Sequence, residues 1–292
     1  MLFCMAFLMV VIWGSAFTLV SIGVLYISPL WLVTYRLIIG AILIIIYVLF
    51  KGLRLPNIKD VRWVWYFAMG LIGMVIPFFL LSTGQVVIDS GLTAIMVGTM
   101  PLMTIVLAHF FANEKLSLTK FIGFIFGFIG IVILFLPSDL SIQLTENWFS
   151  QLIIVIAAFC YAVTTIIAKR APDTPATIGA CMMLICAAIA CLFIALLTTG
   201  FPKSIPPLPG IFTAFGLGIG STAFASILLL YIIDQTGPST VAKINYFVPL
   251  ASVIFGVIIL NEILNIKIFI AFIIILIGML ISQINEKKSK TL

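Results

Sequence analysis

Ten apolar runs, each near the length needed to cross a lipid bilayer, dominate this sequence of 292 residues. A helix needs about 20 mostly apolar residues to span the hydrocarbon core. The composition agrees, because only 8% of the residues are charged, whereas soluble domains carry roughly 25%. We therefore predict an all-α integral membrane protein with ten transmembrane helices, at 2–22, 30–50, 62–82, 90–112, 119–136, 148–168, 175–197, 209–231, 239–261 and 267–284.

The cationic residues predict how the chain lies in the membrane. If the N-terminus is cytoplasmic, 11 of the 15 Lys and Arg residues fall on the cytoplasmic side, two fall outside and two fall within spans. Cytoplasmic loops carry the excess of Lys and Arg in membrane proteins. We therefore predict a bacterial inner (plasma) membrane protein with both termini in the cytoplasm. Membrane topology also accounts for the net charge of +6, so no nucleic-acid partner is predicted.

Two segments share a pattern of Pro-Leu, an apolar stretch and Asn-Glu. They run from Met100 to Glu114 and from Val248 to Glu262, at an offset of 148 positions. A unit of five spans is odd in number, so a second copy enters the membrane inverted, and inverted repeats bind substrate near mid-membrane between the halves. The offset predicts a first five-helix repeat, a connecting loop and a second five-helix repeat with a basic C-terminal tail, at 1–136, 137–147 and 148–292.

Several short motifs occur in a fixed order along nearly the whole chain. They are "WGSAF" from Trp13, "YRLIIGAIL" from Tyr35, "PFFLLSTGQ" with "DSGLTAIMVGTMPL", and the two Pro…Asn-Glu stretches. In these motifs the chain resembles the EamA family of the drug/metabolite transporter superfamily. The resemblance implies a five-plus-five inverted repeat, a central cavity lined by spans one, three, four, six, eight and nine, and transport of small metabolites. The chain departs from the family at Tyr161, where Trp is common, and at Lys243, where relatives usually carry a small or apolar residue.

Charged residues within spans are the first candidates for a binding site, because each costs about 2.5–3.5 kcal/mol to insert. Arg36 is predicted as a buried charge in span two, and Lys243 lies within span nine. Both are close enough to a span end to be structural cations that reach toward the membrane surface. The alternative for Lys243 is that it binds a substrate carboxylate or phosphate as a mobile point charge. The acids, including Glu262, fall in loops or at span ends, and His109 is the only histidine. No proton-coupling residue is therefore evident.

Two prolines interrupt the paired spans four and nine. Pro101 and Pro249 fall near the middle of these spans. A proline inside a helix leaves the carbonyl four residues earlier unpaired and kinks the helix. We predict hinges beside the cavity, and kinks that only shape the bundle are the alternative.

Polar and aromatic side chains on the cavity-lining spans complete the predicted substrate-binding site. Hydrogen bonding or packing between helices is the alternative role for each of them. The candidates are Trp13, Ser15, Gln85, Thr99, Tyr161, Thr164, Thr165, Ser221, Ser226, Lys243, Asn245 and Tyr246.

These features predict a secondary transporter of small metabolites, favouring amino acids or related carboxylate-bearing compounds, with export as one open direction. A facilitative pore is the alternative, although no charged ring or carbonyl filter is evident. An intramembrane enzyme would need a nucleophile, base or metal constellation at depth, which the sequence lacks. No cofactor or metal is predicted. The predicted partners are a small-molecule substrate and the lipid bilayer, and the oligomeric state stays open.

Overall fold

The regular structure of the described residues is helical, without strands. The computed structural model describes residues 2–111, 117–135, 147–202, 204–236, 244–245, 247–263 and 266–282. Each helix takes the number of the predicted span that it matches. Helix 1 is Leu2–Gly23, helix 2 Pro29–Phe50, helix 3 Arg62–Gly84, helix 4 Ser90–Val97 with Met100–Phe111, helix 5 Leu118–Phe135, helix 6 Trp148–Arg170, helix 7 Ala176–Thr199, helix 8 208–236, helix 9 Val248–Leu260 and helix 10 Ile266–Ser282.

Most of these helices suit a lipid environment. Seven of the described helices are long and apolar enough to cross a membrane, and shorter apolar helices coincide with predicted spans five, nine and ten. Large apolar side chains face outward, for example Phe193 at 63% and Ile258 at 71% exposure. Apolar surface of this extent is solvated by lipid rather than by water. The prediction of an all-α integral membrane protein is therefore confirmed, and the ten-span count stays a prediction.

Helices 5 and 10 pack with their backbones almost in contact. A Cβ added to Gly123 would lie 2.5 Å from the carbonyl oxygen of Gly278, and one added to Gly278 would lie 2.7 Å from that of Gly123. A Cβ on Gly130 would lie 3.1 Å from the carbonyl oxygen of Ala271. Gly130 comes seven residues after Gly123 in helix 5, and Ala271 comes seven residues before Gly278 in helix 10. The two helices therefore run antiparallel. Small residues permit this approach, as is common between helices in membranes.

Helices 3 and 8 each contain a wider, π-helical segment. These segments are Leu71–Val75 and Gly216–Phe224, with α-helix on both sides. Shifting the first segment by 148 residues places it at 219–223, inside the second. Insertions of this kind often mark functional sites. Hydropathy alone gives no sign of them, and the sequence analysis did not predict them.

Helix 4 is interrupted beside Pro101, and a turn at Phe247 precedes helix 9 beside Pro249. The prolines predicted bends in continuous helices, whereas helix 4 is broken. Its first part ends at Val97 and its second part begins at Met100, so Pro101 is the second residue of the second part. Pro249 is likewise the second residue of helix 9. A first-turn proline is favourable because its missing N–H has no helical partner there anyway. The two breaks touch, because a Cβ on Gly98 would lie 3.1 Å from Cγ of Pro249.

Candidate functional site

Arg36 is the buried charge of the described helices. It lies seven residues into helix 2, and only 6% of it is exposed. Its Nε donates a hydrogen bond of 3.2 Å to Oγ1 of Thr222, and its Nη2 donates one of 3.1 Å to Oγ of Ser221. Both acceptors belong to the π-helical segment of helix 8. Arg36 therefore connects helix 2 to the irregular part of helix 8.

Two aromatic rings complete the surroundings of this guanidinium. Cζ of Arg36 lies 3.8 Å from the ring centroid of Phe78 in helix 3, a cation–π distance. The ring of Tyr161 in helix 6 meets Phe78 edge-on, with centroids 6.4 Å apart. Four helices thus converge on one cation. We call this set of side chains the Arg36 cluster: Arg36, Phe78, Tyr161, Ser221 and Thr222.

Close contact between helices 2 and 8 positions the hydroxyl groups of the cluster. A Cβ on Gly40 would lie 2.7 Å from Cγ2 of Thr222, and one on Gly218 would lie 2.6 Å from Cβ of Ile39. Side chains larger than hydrogen at these two positions would separate the helices. The close approach therefore keeps both hydroxyls within reach of Arg36.

The charge of Arg36 has no acidic counterpart among the residues that the structure describes. The ion pair found among these described residues joins Arg62 to Asp60, in the connection between helices 2 and 3, and does not involve Arg36. A guanidinium carries five N–H donors, and Arg36 directs two hydrogen bonds to neutral hydroxyls. A buried cation without an anion is costly. The cluster therefore has both the charge and the spare donors to accept a carboxylate or another anion.

Most of the predicted hydroxyl groups bond within their own helices instead of joining this cluster. Each donates to a backbone carbonyl three or four residues earlier, as Ser and Thr commonly do in helices. This set comprises Ser15 with Ile12, Thr99 with Met96, Thr164 with Cys160, Thr165 with Tyr161 and Ser226 with Thr222.

The other predicted site residues have structural surroundings. Trp13 is half-buried and packs in an apolar cluster with Leu228, Ile232 and Ile244. Nε2 of Gln85 donates hydrogen bonds of 2.9 Å to the carbonyl of Phe17 and to Oγ of Ser21, which joins the end of helix 3 to helix 1. Asn245 is half-buried. Lys243 and Tyr246 lie outside the described residues, so their predicted roles stay predictions.

A groove of about 470 Å³ lies between helices 3 and 7, away from the Arg36 cluster. Several of its residues are exposed on the apolar surface, including Ile189 at 64%. The groove therefore faces lipid and does not represent the predicted central cavity. It is lined by Phe67, Leu71, Cys186, Ile189, Ala190, Phe193 and Ile194.

Phe78 is the aromatic member of the cluster that was not predicted as a site residue. It stands in the "PFFLLSTGQ" motif, directly after Pro77. An aromatic residue in an apolar span carries no local sign that it will meet a cation. Its contact with Arg36 arises only when helices 2 and 3 pack together, 42 positions apart in sequence.

The apolar helices and the buried cation where four of them meet define a helical integral membrane protein with a candidate binding site for an anion. The profile of the EamA-like transporter family matches residues 1–136 and 148–283. The chain belongs to this family, which confirms the resemblance seen in the motifs. Members of the family are transporters, so the chain is a membrane transporter and not an enzyme.

Relatives from bacteria and archaea match over most of the chain. The uncharacterized transporter YoaV of Bacillus subtilis (strain 168) is 25% identical over 96% of this chain and 95% of its own. An uncharacterized transporter of Archaeoglobus fulgidus is 26% identical over 89% and 90%. The uncharacterized inner membrane transporter YedA of Escherichia coli (strain K12) is 23% identical over 87% and 81%. One solved crystal structure shares the fold, with a TM-score of 0.66 over 96% of both chains at 18% identity.

Proposed function

We propose that this transporter is a secondary carrier that moves small carboxylate-bearing metabolites, such as amino acids, by alternating access. The observation that carries the proposal is Arg36, a 94% buried guanidinium bonded only to neutral hydroxyls among the described residues. Arginine holds a carboxylate through two parallel hydrogen bonds. Phe78 and Tyr161 provide aromatic surface for the apolar part of such a substrate.

We infer that two five-helix halves of opposite orientation surround this site. Three observations support the inference. The family profile matches twice, over 1–136 and 148–283. Helices 5 and 10, which are equivalent under the 148-residue offset, pack antiparallel through Gly123 and Gly278. The π-helical segments and the proline-associated breaks also recur at this offset. Broken helices beside the substrate are typical of carriers built from inverted repeats.

The membrane orientation follows from the charge distribution. Eleven of the 15 Lys and Arg residues lie on one side of the proposed topology, and this side faces the cytoplasm. Both termini are then cytoplasmic. An inner-membrane location is supported by the name of the relative YedA.

A hinge role for the helix breaks predicts a specific effect of Pro249→Ala. We expect this substitution to lower transport more than it lowers the yield of folded protein, because the helix 9 break that touches Gly98 would gain a backbone donor and close up. The measurement compares initial transport rate with folded yield and detergent stability. Pro209→Ala is the matched control, since Pro209 also stands in a first helical turn but at the exposed start of helix 8. Equal loss of rate and yield in Pro249→Ala would contradict the hinge.

Counterflow in proteoliposomes tests the proposed function. A thermal-shift screen of amino acids and related acids first selects ligands, because a compound that binds the folded form raises its melting temperature. Vesicles loaded with unlabelled ligand should then accumulate labelled ligand transiently and saturably. A pore would equilibrate the label without counterflow. Absence of transport for every carboxylate tested, with movement of uncharged solutes instead, would overturn the proposed substrate class.

A further inference from the structure

Glu262, just beyond helix 9, binds the start of helix 4. Its Oε1 accepts a hydrogen bond of 2.7 Å from the backbone N–H of Ser90, and its Oε2 accepts one of 3.0 Å from that of Gly91. The first N–H groups of a helix have no partner within the helix, and the helix dipole favours an anion there. The carboxylate therefore joins two helix ends that are more than 170 residues apart. We call this contact the Glu262 clasp.

The local backbone is shaped to place this carboxylate. Asn261 has φ 55° and ψ 35°, the left-handed conformation that often ends a helix. The N–H of Glu262 then bonds back to the carbonyl of Gly256 at 3.1 Å. A Cβ on Gly256 would lie 2.2 Å from Oε2 of Glu262, so only glycine leaves room for the carboxylate. This arrangement accounts for the Asn-Glu that ends the second of the two repeated segments.

Unpaired polar groups lie at the same end of the bundle, where helices 1 and 3 end and helices 2, 4 and 6 begin. Six buried side-chain atoms have no hydrogen-bond partner among the described residues. Leaving such a group unpaired costs about 1–3 kcal/mol. Access of water to this end would relieve that cost. The six atoms belong to Thr18, Thr83, Gln85, Ser90, Thr93 and Gln151.

A second acid, Asp89, lies near the Glu262 clasp. Asp89, the residue before helix 4, has an exposed side chain. Partial burial of its carboxyl, together with the neighbouring Glu262 carboxylate, raises the pKa of Asp89. The two hydrogen bonds of the clasp therefore form despite the repulsion between two neighbouring acids. Attraction of the Glu262 carboxylate to the first N–H groups of helix 4 and its repulsion from Asp89 oppose each other. A contact with such opposing energies is suited to open and close.

We propose that the Glu262 clasp is the gate of the transporter on the Ser90 side, which the proposed topology makes the outer side. Arg36 lies in helix 2, seven residues from this end, so release of the clasp admits substrate toward the Arg36 cluster. Glu262 is a positioning residue and does not touch the substrate. The gating role rests on the proposed alternating access, whereas the clasp itself is tested without transport.

Hydrogen exchange tests the clasp directly. In Glu262→Ala the amides of Ser90 and Gly91 lose their acceptors, and we expect their exchange to rise at least about tenfold. Glu262→Gln keeps an oxygen acceptor without the charge, and charge-assisted bonds are about twice as strong as neutral ones, so its exchange should be intermediate. Asp60→Asn, which removes an acid in the connection between helices 2 and 3, should leave this exchange unchanged. Unaltered exchange in Glu262→Ala would show that the clasp does not form.

Cysteine labelling from each side tests the gate. Thr93 is fully buried in helix 4, so Thr93→Cys in a background without the five native cysteines reports opening of this end. With Glu262→Ala added, a membrane-impermeant maleimide applied outside should label it at least about tenfold faster. If the Ser90 and Gly91 amides exchange faster but Thr93→Cys is not labelled faster, Glu262 only caps helix 4 and the gate proposal is wrong. Faster labelling only from the cytoplasmic side would overturn the assignment to the outer side.

Gly256→Ala displaces the carboxylate without removing it. The added methyl group occupies the position of Oε2, so we expect the same rise in exchange and labelling as in Glu262→Ala. Agreement of the two variants, at a melting temperature that still shows a folded protein, excludes general unfolding as the cause. The proposed function is tested independently of the clasp, because it is contradicted if the original protein transports no carboxylate in the counterflow experiment. The gate fails when labelling does not change in either variant.

Discussion

Replacing Arg36 by methionine is expected to abolish saturable transport of carboxylate substrates while leaving the protein at least as stable as before. Methionine keeps the length and apolar stem of the side chain but removes the buried charge. Loss of two charge-assisted hydrogen bonds to substrate, at about 1.5–3 kcal/mol each, corresponds to at least about a hundredfold in affinity. The stability should not fall in parallel, because methionine removes the desolvation cost of a buried charge that has no anionic partner among the described residues.

The combination of the two results separates a binding role for Arg36 from a structural one. A structural cation that ties helix 2 to Ser221 and Thr222 would lose stability and transport together. Arg36→Lys keeps the charge without the planar pair of donors. The affinity of this variant for the carboxylate substrate should therefore fall between those of the original protein and of Arg36→Met. Arg62→Met is the matched control, since Arg62 lies outside the cluster and pairs with Asp60. Transport that survives Arg36→Met but not Lys243→Met would assign the carboxylate to Lys243.

The second large effect is expected at the contact between helices 5 and 10. A Cβ on Gly278 would meet the carbonyl oxygen of Gly123 at 2.7 Å, Cβ of Phe126 at 2.8 Å and the backbone nitrogen of Gly127 at 3.1 Å. Backbone atoms cannot move aside as a flexible side chain can. We therefore expect Gly278→Ala to cost about 1–3 kcal/mol, seen as a lower melting temperature in detergent.

The same contact provides its own controls. Gly123→Ala should be as damaging as Gly278→Ala, and the double variant should lose less than the sum, because residues in one contact are not independent. Gly220→Ala should keep the melting temperature, since a Cβ there meets nothing within 4 Å. An unchanged melting temperature in Gly278→Ala would mean that the two helices do not pack as closely as described.

Hydropathy located the helices well because lipid solvation acts on each segment separately. Helix 5, for example, covers Leu118–Phe135, against a prediction of 119–136. Arg36 stood out for the same reason, since a charge in an apolar run is visible without knowledge of the fold. Its partner Phe78 was not visible, because one aromatic residue among the 25 phenylalanines of this chain looks like any other.

The finer details depend on contacts that sequence periodicity does not encode. Glu262 looked like an ordinary acid at a span end, because its partner Ser90 lies 172 positions away. The hydrogen bonds of Thr165 to Tyr161 and of Thr99, in the break of helix 4, to Met96 were likewise not predicted. The role of both residues in a cavity stays a prediction. The prolines indicated irregular helices correctly, and whether each produced a bend or a break depended on the packing around Gly98 and Pro249.

The glycine contact between helices 5 and 10 also bears on the balance of conformations in such a carrier. If the halves were identical, the state open to one side would mirror the state open to the other, and the two would have equal energy. Ala271 stands where an exact copy of Gly123 would place glycine. The helices touch closely at Gly123 and Gly278 but less closely at Gly130 and Ala271. This pair is therefore one of the differences between the halves that would give the two states of the proposed carrier unequal energies.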